Sequence, residues 1–266
     1  MPGAEPLGAR AESVGWRASP GPGPGSAPAR PLPPASGQGS ARPATTRDRA
    51  RSAQSRRASP LAAGVEALFG ESFGRVQQFA ALLSERAELL GLLGPRELDR
   101  LWERHLINSA AVAGLLPPSG LVIDVGSGAG LPGVVLALMR PDLEFELVDS
   151  MRRRTDWLSE ATQCLGLANV AVTWARAEEL RGRAASCTVS RAVARLDKLA
   201  RWQGGLLAAG GRFLAMKGVG AAGELADCGR DLARAGLVGA KVVELIPVAG
   251  LSPTYVVKAR KRAARG

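Results

Sequence analysis

The chain has 266 residues, 46% hydrophobic but only 4% aromatic, with a formal charge of +11. That length suits one large α/β domain, and no apolar run approaches the roughly 20 residues of a membrane span. Three scattered cysteines without a CxxC pair argue against a disulfide framework and fit the cytoplasm, and the single histidine, His105, argues against a metal site.

The charge sits at the ends. Residues 1–60 carry nine arginines against three acids, the last nine residues (KARKRAARG) add five positive charges, and the body between them is neutral. The leader also holds eleven of the eighteen prolines and a single aromatic, Trp16. Such a segment buries too little apolar surface to offset its ordering entropy, so disorder is expected over 1–60. Its arginine-rich make-up has the composition of a transit peptide without the amphipathic pattern.

Order is expected from Leu61, in one domain that closes with a basic tail at 261–266. Apolar residues at helical spacing predict a helix over 65–91, and a second over 94–116 with Pro95 at its start. This helical lead-in stops at PPSG (117–120), and the core follows over 117–260. There the pattern alternates: strand 121–126, helix 132–140, strand 144–149, helix 151–166, strand 170–175, strand 187–193, helix 196–207, strand 211–218, helix 224–236. KVVELIPV (241–248) and TYVVKARK (254–261) close the chain as an antiparallel pair. Alternation of this kind predicts a doubly wound, mainly parallel sheet. A closing hairpin that inserts one antiparallel strand is the pattern of Rossmann-like, class I S-adenosylmethionine (AdoMet) methyltransferases, with a seven-stranded sheet.

In such a sheet ligands sit beyond the carboxyl ends of the strands, held by the first strand–helix turn. Here that turn, VIDVGSGAGLPG (122–133), can be read in two registers. Gly128-x-Gly130-x-x-Gly133 fits a dinucleotide fingerprint, and Asp124-x-Gly126-x-Gly128-x-Gly130 fits an AdoMet turn. The strand ends at Asp124, which makes Gly126 the first turn residue and favours the second register. Pro132, expected in the first turn of the following helix, removes an N–H that a pyrophosphate would use. Asp149 closes the second strand 25 residues after Asp124, placed to accept both ribose hydroxyls of either cofactor. Arg176, Ala177, Glu178 and Glu179 follow the third strand, as an adenine-side turn or simply as a helix start with favourable acids.

After the fourth strand the sequence reads SRAVARL (190–196), without the (N/D)PP(Y/F) turn of many exocyclic-amine methyltransferases. Cys187 lacks a proline neighbour and reads as a core residue. The chemistry thus needs neither a tuned base nor a covalent intermediate. A ring nitrogen with a free lone pair, such as guanine N7, suits transfer by proximity and orientation. His105 then serves as a helix-face or substrate-positioning residue rather than a base.

RHLINS (104–109), DVGSGAGLPG (124–133), LVDSMRRR (147–154), RAEEL (176–180), SRAVARL (190–196) and MKG (216–218) occur in the order of one family. Over about 94–260 the chain resembles the bacterial ribosomal RNA small-subunit methyltransferase G family, also called GidB. LPG and SRA are the specific parts. The resemblance implies methylation of N7 of guanine 527 in the decoding region of 16S rRNA, free or within the small subunit. It implies AdoMet contacts at Gly126, Leu131, Ala177, Glu178 and Arg191, with Asp149 on the ribose. Asp124 and Gly128 join the cofactor site from the turn register. Arg191, Lys217 and His105 are candidates for positioning, with Arg191 either on the methionine carboxylate, on RNA, or structural. Arg104, His105 and Lys217 are candidates for RNA contact or solvated charges. The run Arg152, Arg153 and Arg154 opens a helix against its dipole, as a phosphate contact or a solvated face. A monomer without metal is expected. The leader is not a general feature of that family. Other readings are an AdoMet- or NAD-linked small-molecule enzyme, separable by cofactor calorimetry, and a non-catalytic RNA-binding assembly factor.

Overall fold

The computed structural model describes residues 60–263. The expected disorder of the leader lies outside the described residues, as do the last three residues of the basic tail. Helices α1 (Pro60–Phe69) and α2 (Phe73–Arg86) are separated by a 3-10 turn at Gly70–Ser72. One helix was expected over 65–91; Gly70 breaks it at φ +52°, a conformation that a side chain disfavours. The second expected helix, 94–116, is also in pieces. They are α3 (Pro95–Leu98), a π-helical segment (Leu101–Ile107), α4 (Asn108–Ala111) and a 3-10 turn (Ala113–Leu115). π-Helical turns concentrate at functional sites, and this one carries Arg104 and His105. Phe69, Phe73 and Trp102 pack with ring centroids 5.9–6.3 Å apart and tie the first pieces to the second.

The strands are β1 (Leu121–Val125), β2 (Glu144–Asp149), β3 (Val170–Trp174), β4 (Ala185–Arg191), β5 (Leu207–Lys217), β6 (Leu237–Leu245) and β7 (Thr254–Lys261). They form one seven-stranded sheet in the order β3-β2-β1-β4-β5-β7-β6. β7 runs antiparallel to both neighbours, and the pairings among β1 to β5 are parallel. The expected doubly wound sheet with one inserted antiparallel strand is therefore present. The remaining helices are α5 (Gly133–Met139), α6 (Arg152–Cys164), α7 (Leu196–Gly204) and α8 (Ala221–Arg234). α7 ends three residues earlier, and β5 begins four residues earlier, than the pattern predicts. The first residues of β5 pair with Ala185 through a register shift that apolar periodicity does not signal.

One sheet face, through Val122, Phe145, Leu147, Val189, Leu214 and Val256, packs on the helical lead-in, α5 and α6. The other packs Phe213, Ala215 and Val257 on α7 and α8. Burial on both faces explains the apolar run that opens β1, Leu121–Ile123. The order reverses between β1 and β4, which opens a crevice at their carboxyl ends. Among the described residues no helix is long and apolar enough to cross a membrane.

Candidate nucleotide and methyl-transfer site

The turn after β1 follows the Asp124 register: Gly126, Gly128 and Gly130 have φ of +71°, +58° and +94°. Gly133 does the third-glycine task of the rival register, close packing of helix on strand. A Cβ there would lie 2.4 Å from Leu147 Cδ2 and 2.5 Å from Asp124 Oδ2. Asp124 differs from expectation. Its side chain is 0% exposed, and its Oδ2 accepts from Ser127 Oγ at 2.7 Å and from Gly133 N at 2.9 Å. Burial pushes its pKa up to about 6, against the pull of those two hydrogen bonds. Asp124 is thus an internal brace rather than a cofactor contact. It occupies the N-terminus of α5, where a dinucleotide fold would seat a pyrophosphate. Pro132 also shifts, to the N-cap of α5 instead of its first turn.

Three cavities adjoin along the carboxyl edge. The first, of about 350 Å³, lies between Val125, Val148, Asp149, Ala177, Glu178 and Trp202. The second, of about 320 Å³, is bounded by Gly128, Leu131, Arg154, Arg191 and Val193, and shares Gly126 and Asp149 with the first. The third, of about 650 Å³, is lined by Glu97, Arg104, His105, Lys217 and Tyr255, and meets the second at Arg191 and Ala192. Asp149 sits at the first junction, 3% exposed. One oxygen accepts from Gly128 N at 3.0 Å and the other from Met151 N at 2.9 Å, leaving a lone pair on each for a hydroxyl donor.

These features fit AdoMet. The first cavity is a mainly apolar slot that ends on a carboxylate able to take a diol. The second is open above Gly128, where a Cβ would find nothing nearer than 3.8 Å, and is flanked by Arg154 and Arg191, suited to a carboxylate. Gly126 has no such room, since a Cβ there would strike Val193 at 2.7 Å.

Arg191 joins two elements that the sequence separates by more than eighty residues. Its Nη1 donates to Arg104 O at 3.1 Å and to His105 O at 3.4 Å, and its Nη2 donates to His105 Nδ1. His105 Nε2 donates to Glu97 Oε2 at 2.8 Å. Burial and the Arg191 charge hold the His105 pKa at about 4, so the ring is neutral with both nitrogens engaged. Burial also brings Arg191 down to about 10. Glu97 was not expected in the site; its place on a helix start gave no signal that it would meet a histidine eight residues on.

The second and third cavities meet at Arg191 and Ala192, which form the wall between them. Ala192 takes φ +54°, which costs on the order of 1–3 kcal/mol and persists only where the surroundings impose it. Lys217 Nζ donates to Ala194 O at 2.7 Å and to Glu224 Oε1 at 2.9 Å, and that Glu224 oxygen accepts Leu196 N at 2.8 Å. Lys217 therefore lines the third cavity, yet spends its ammonium on the wall. Arg104 lines the same cavity, half-exposed, 3.4 Å from Glu97 Oε1.

The basic run of α6 divides. Arg152 pairs with Asp156 at 2.9 Å and lies over Trp174, 5.1 Å from the ring centroid. Arg153 passes Gly91. Arg154, which the sequence did not set apart from its neighbours, turns inward to 3.6 Å from Asp149 Oδ2. Cys187 is fully buried, and burial pushes its thiol up to about 12, as for a core residue.

Among solved structures, the AdoMet-dependent methyltransferase SibL in its apo form is similar at a TM-score of 0.50. The match has 19% identity and covers 63% of this chain and 57% of that one. The family model for rRNA small subunit methyltransferase G matches residues 73–246. Proteins named ribosomal RNA small subunit methyltransferase G are similar in sequence. That of Beutenbergia cavernae is 47% identical, over 73% of this chain and 92% of its own length, and that of Mycobacterium avium is 47% identical, over 73% and 81%. The chain therefore belongs to the rRNA small subunit methyltransferase G family, and is a methyltransferase with AdoMet as its cofactor.

Proposed function

We propose that the protein methylates N7 of guanine 527 in 16S rRNA, acting in the cytoplasm as a monomer. The observation that carries the choice of atom is that, among the described residues, each ionisable side chain nearest Arg191 in the third cavity is already paired. Both His105 nitrogens are engaged, Glu97 is held by His105 and Arg104, and Lys217 is held by Ala194 and Glu224, while the outlying Glu103 lies 3.8 Å from Arg100. A nucleophile that must lose a proton would lack a partner, whereas N7 carries a lone pair and no proton. AdoMet supplies an electrophilic methyl on a cationic sulfur. Catalysis then rests on proximity and alignment.

In this reading Ala177 and Glu178 border the adenine, Asp149 takes the ribose, and Gly126, Gly128 and Leu131 shape the space for the methionine chain. Arg191 and Arg154 face its carboxylate. Arg104 and the rim around it hold the target nucleotide, with Arg152 and Arg153 on the outer surface for phosphates.

Incubation of the purified chain with 16S rRNA, or with small subunits from cells lacking the modification, and isotopically labelled AdoMet tests this. Mass spectrometry of nuclease fragments should place the label on N7 of guanine 527. Label at another base or atom would refute the assignment, and saturable NAD binding without AdoMet binding would remove its basis. Gly128→Val provides a test of the pocket. Its Cβ has room in the fold but its methyls enter the second cavity, so AdoMet affinity should fall at least tenfold by calorimetry, on the order of 1.4 kcal/mol. The thermal transition should fall by about 2–8 °C, since the left-handed backbone costs about 1–2 kcal/mol.

A further inference from the structure

We infer that the open sheet face formed by β5, β7 and β6 is a second RNA-contact surface, which takes the phosphodiester backbone of the substrate at a distance from the methyl-transfer site. This rests on the rRNA reading above. A separate cavity of about 520 Å³ lies there, beside the 3-10 turn at Ala113–Leu115, and its lining includes Arg212, Lys241, Lys258 and Arg260 without any acid.

The strand register places these cations as two adjacent pairs. Arg212 lies opposite Arg260 across β5 and β7, and Lys258 lies opposite Lys241 across β7 and β6. Strand spacing and rise make this an array of roughly 5 by 7 Å. Like charges directly opposite one another destabilise a sheet, so the array works against folding. No carboxylate among the described residues pairs with it. Arg212 donates to the Leu115 and Leu116 carbonyls at 2.7 and 2.8 Å, and Arg260 to Gly210 O at 3.2 Å, which leaves their charge uncompensated. Their ladder pairing aside, the ammonium groups of Lys241 and Lys258 make no hydrogen bond or ion pair with any described residue.

Lysines commonly guard a sheet edge against pairing with another chain. That accounts for Lys241 on the edge strand β6, but not for Lys258 and Arg260 on β7 or Arg212 on β5, which are interior strands. A row of phosphates suits all four. β7 also connects this surface to the site: Thr254 and Tyr255 line the third cavity, and Lys258 and Arg260 lie further along the same strand. From Thr254 to Arg260 the strand spans on the order of 20 Å. Val256 lies between the two on this face, fully buried beneath the helical lead-in, so the two surfaces are separate contacts for one RNA rather than a continuous track along β7.

The test uses the full chain carrying Lys241→Gln and Lys258→Gln together, leaving Arg212 to hold its carbonyls. Binding of a 16S rRNA fragment containing guanine 527 is measured at several KCl concentrations. Each lost phosphate contact should lower the slope of log affinity against log salt by about 0.7–0.9, so the double variant should lose about 1.5. KM for RNA should rise about tenfold, with kcat and AdoMet affinity unchanged. Tm should hold or rise, because a repulsion is removed, and Lys241→Arg with Lys258→Arg should retain wild-type binding.

A wild-type enzyme that methylates the RNA, with a double variant of equal KM and salt slope, would overturn the inference alone. A wild-type chain that transfers no methyl to RNA but loses RNA affinity in the double variant would keep the surface and refute the activity. Weakened binding to polyglutamate with unchanged RNA binding would assign the face to an acidic protein and overturn the inference.

Discussion

Replacing Arg191 by alanine is expected to lower kcat/KM for RNA by about 10²-fold or more, the scale of a misplaced reactive geometry. The side chain lines both the second and third cavities, and its guanidinium ties β4 to the π-helical segment through Arg104 O, His105 O and His105 Nδ1. Alanine leaves these acceptors unpaired, at about 1–3 kcal/mol for each that stays dry. The wall between the cavities then loses its outer anchor. Lysine should rescue poorly, since an ammonium cannot reproduce the planar fork. The wild-type rate should show no inflection near neutrality from His105, whose pKa burial and the Arg191 charge hold at about 4. A loss of under threefold in Arg191→Ala, or a rate that follows a group titrating near neutrality, would refute the positioning role.

Asp124→Ala should be the most destabilising substitution in the glycine turn. It strips the acceptor from the Ser127 hydroxyl and from the first N–H of α5, both buried. At about 1–3 kcal/mol for each group left unsatisfied, a loss of about 2–4 kcal/mol is expected. For a domain of this size that lowers Tm by about 5–15 °C. Asp124→Asn keeps an acceptor and should cost less. The acid dependence has a definite sign. Asp124 has its folded pKa at about 6, above the ordinary 3.8, so its stabilising contribution is full below about pH 4. That contribution declines as pH rises through 6 and is constant above it. The deficit of Asp124→Ala relative to wild type should therefore widen as pH falls from 7 towards 4, as read by denaturant titration. A variant within 1 kcal/mol of wild type would show that the carboxylate does not brace the turn.

The sheet was legible because its strands are buried on both faces and punctuated by glycine and proline, and because the closing hairpin leaves a distinct pattern. The position of Asp149, at the end of β2 beside the point where the strand order reverses, was legible for a similar reason. Asp124 was not, since a strand-terminal acid in a glycine turn can face a ligand or the helix behind it. The choice depends on Gly133 approaching within hydrogen-bond range. Lys217 misled in the same way. Its position at the end of β5 was read correctly, but its partner Glu224 lies on α8 and its second partner is a carbonyl, which no residue pattern records. The lead-in helices failed at Gly70 and over Leu101–Ile107, where apolar spacing continues through a break in the backbone.

The wall at Arg191–Ala194 has a consequence for how this enzyme can change. That partition is held from behind by Lys217 and Glu224, and the larger side chains on it that face the cavities are Arg191 and Val193. Ala192 is already confined to a conformation that larger residues resist. The separation of the second and third cavities therefore depends on the Lys217–Glu224 link between β5 and α8. New substrates are reached more readily by remodelling the rim of the outer chamber, and a shift of the partition itself would require α8 to move.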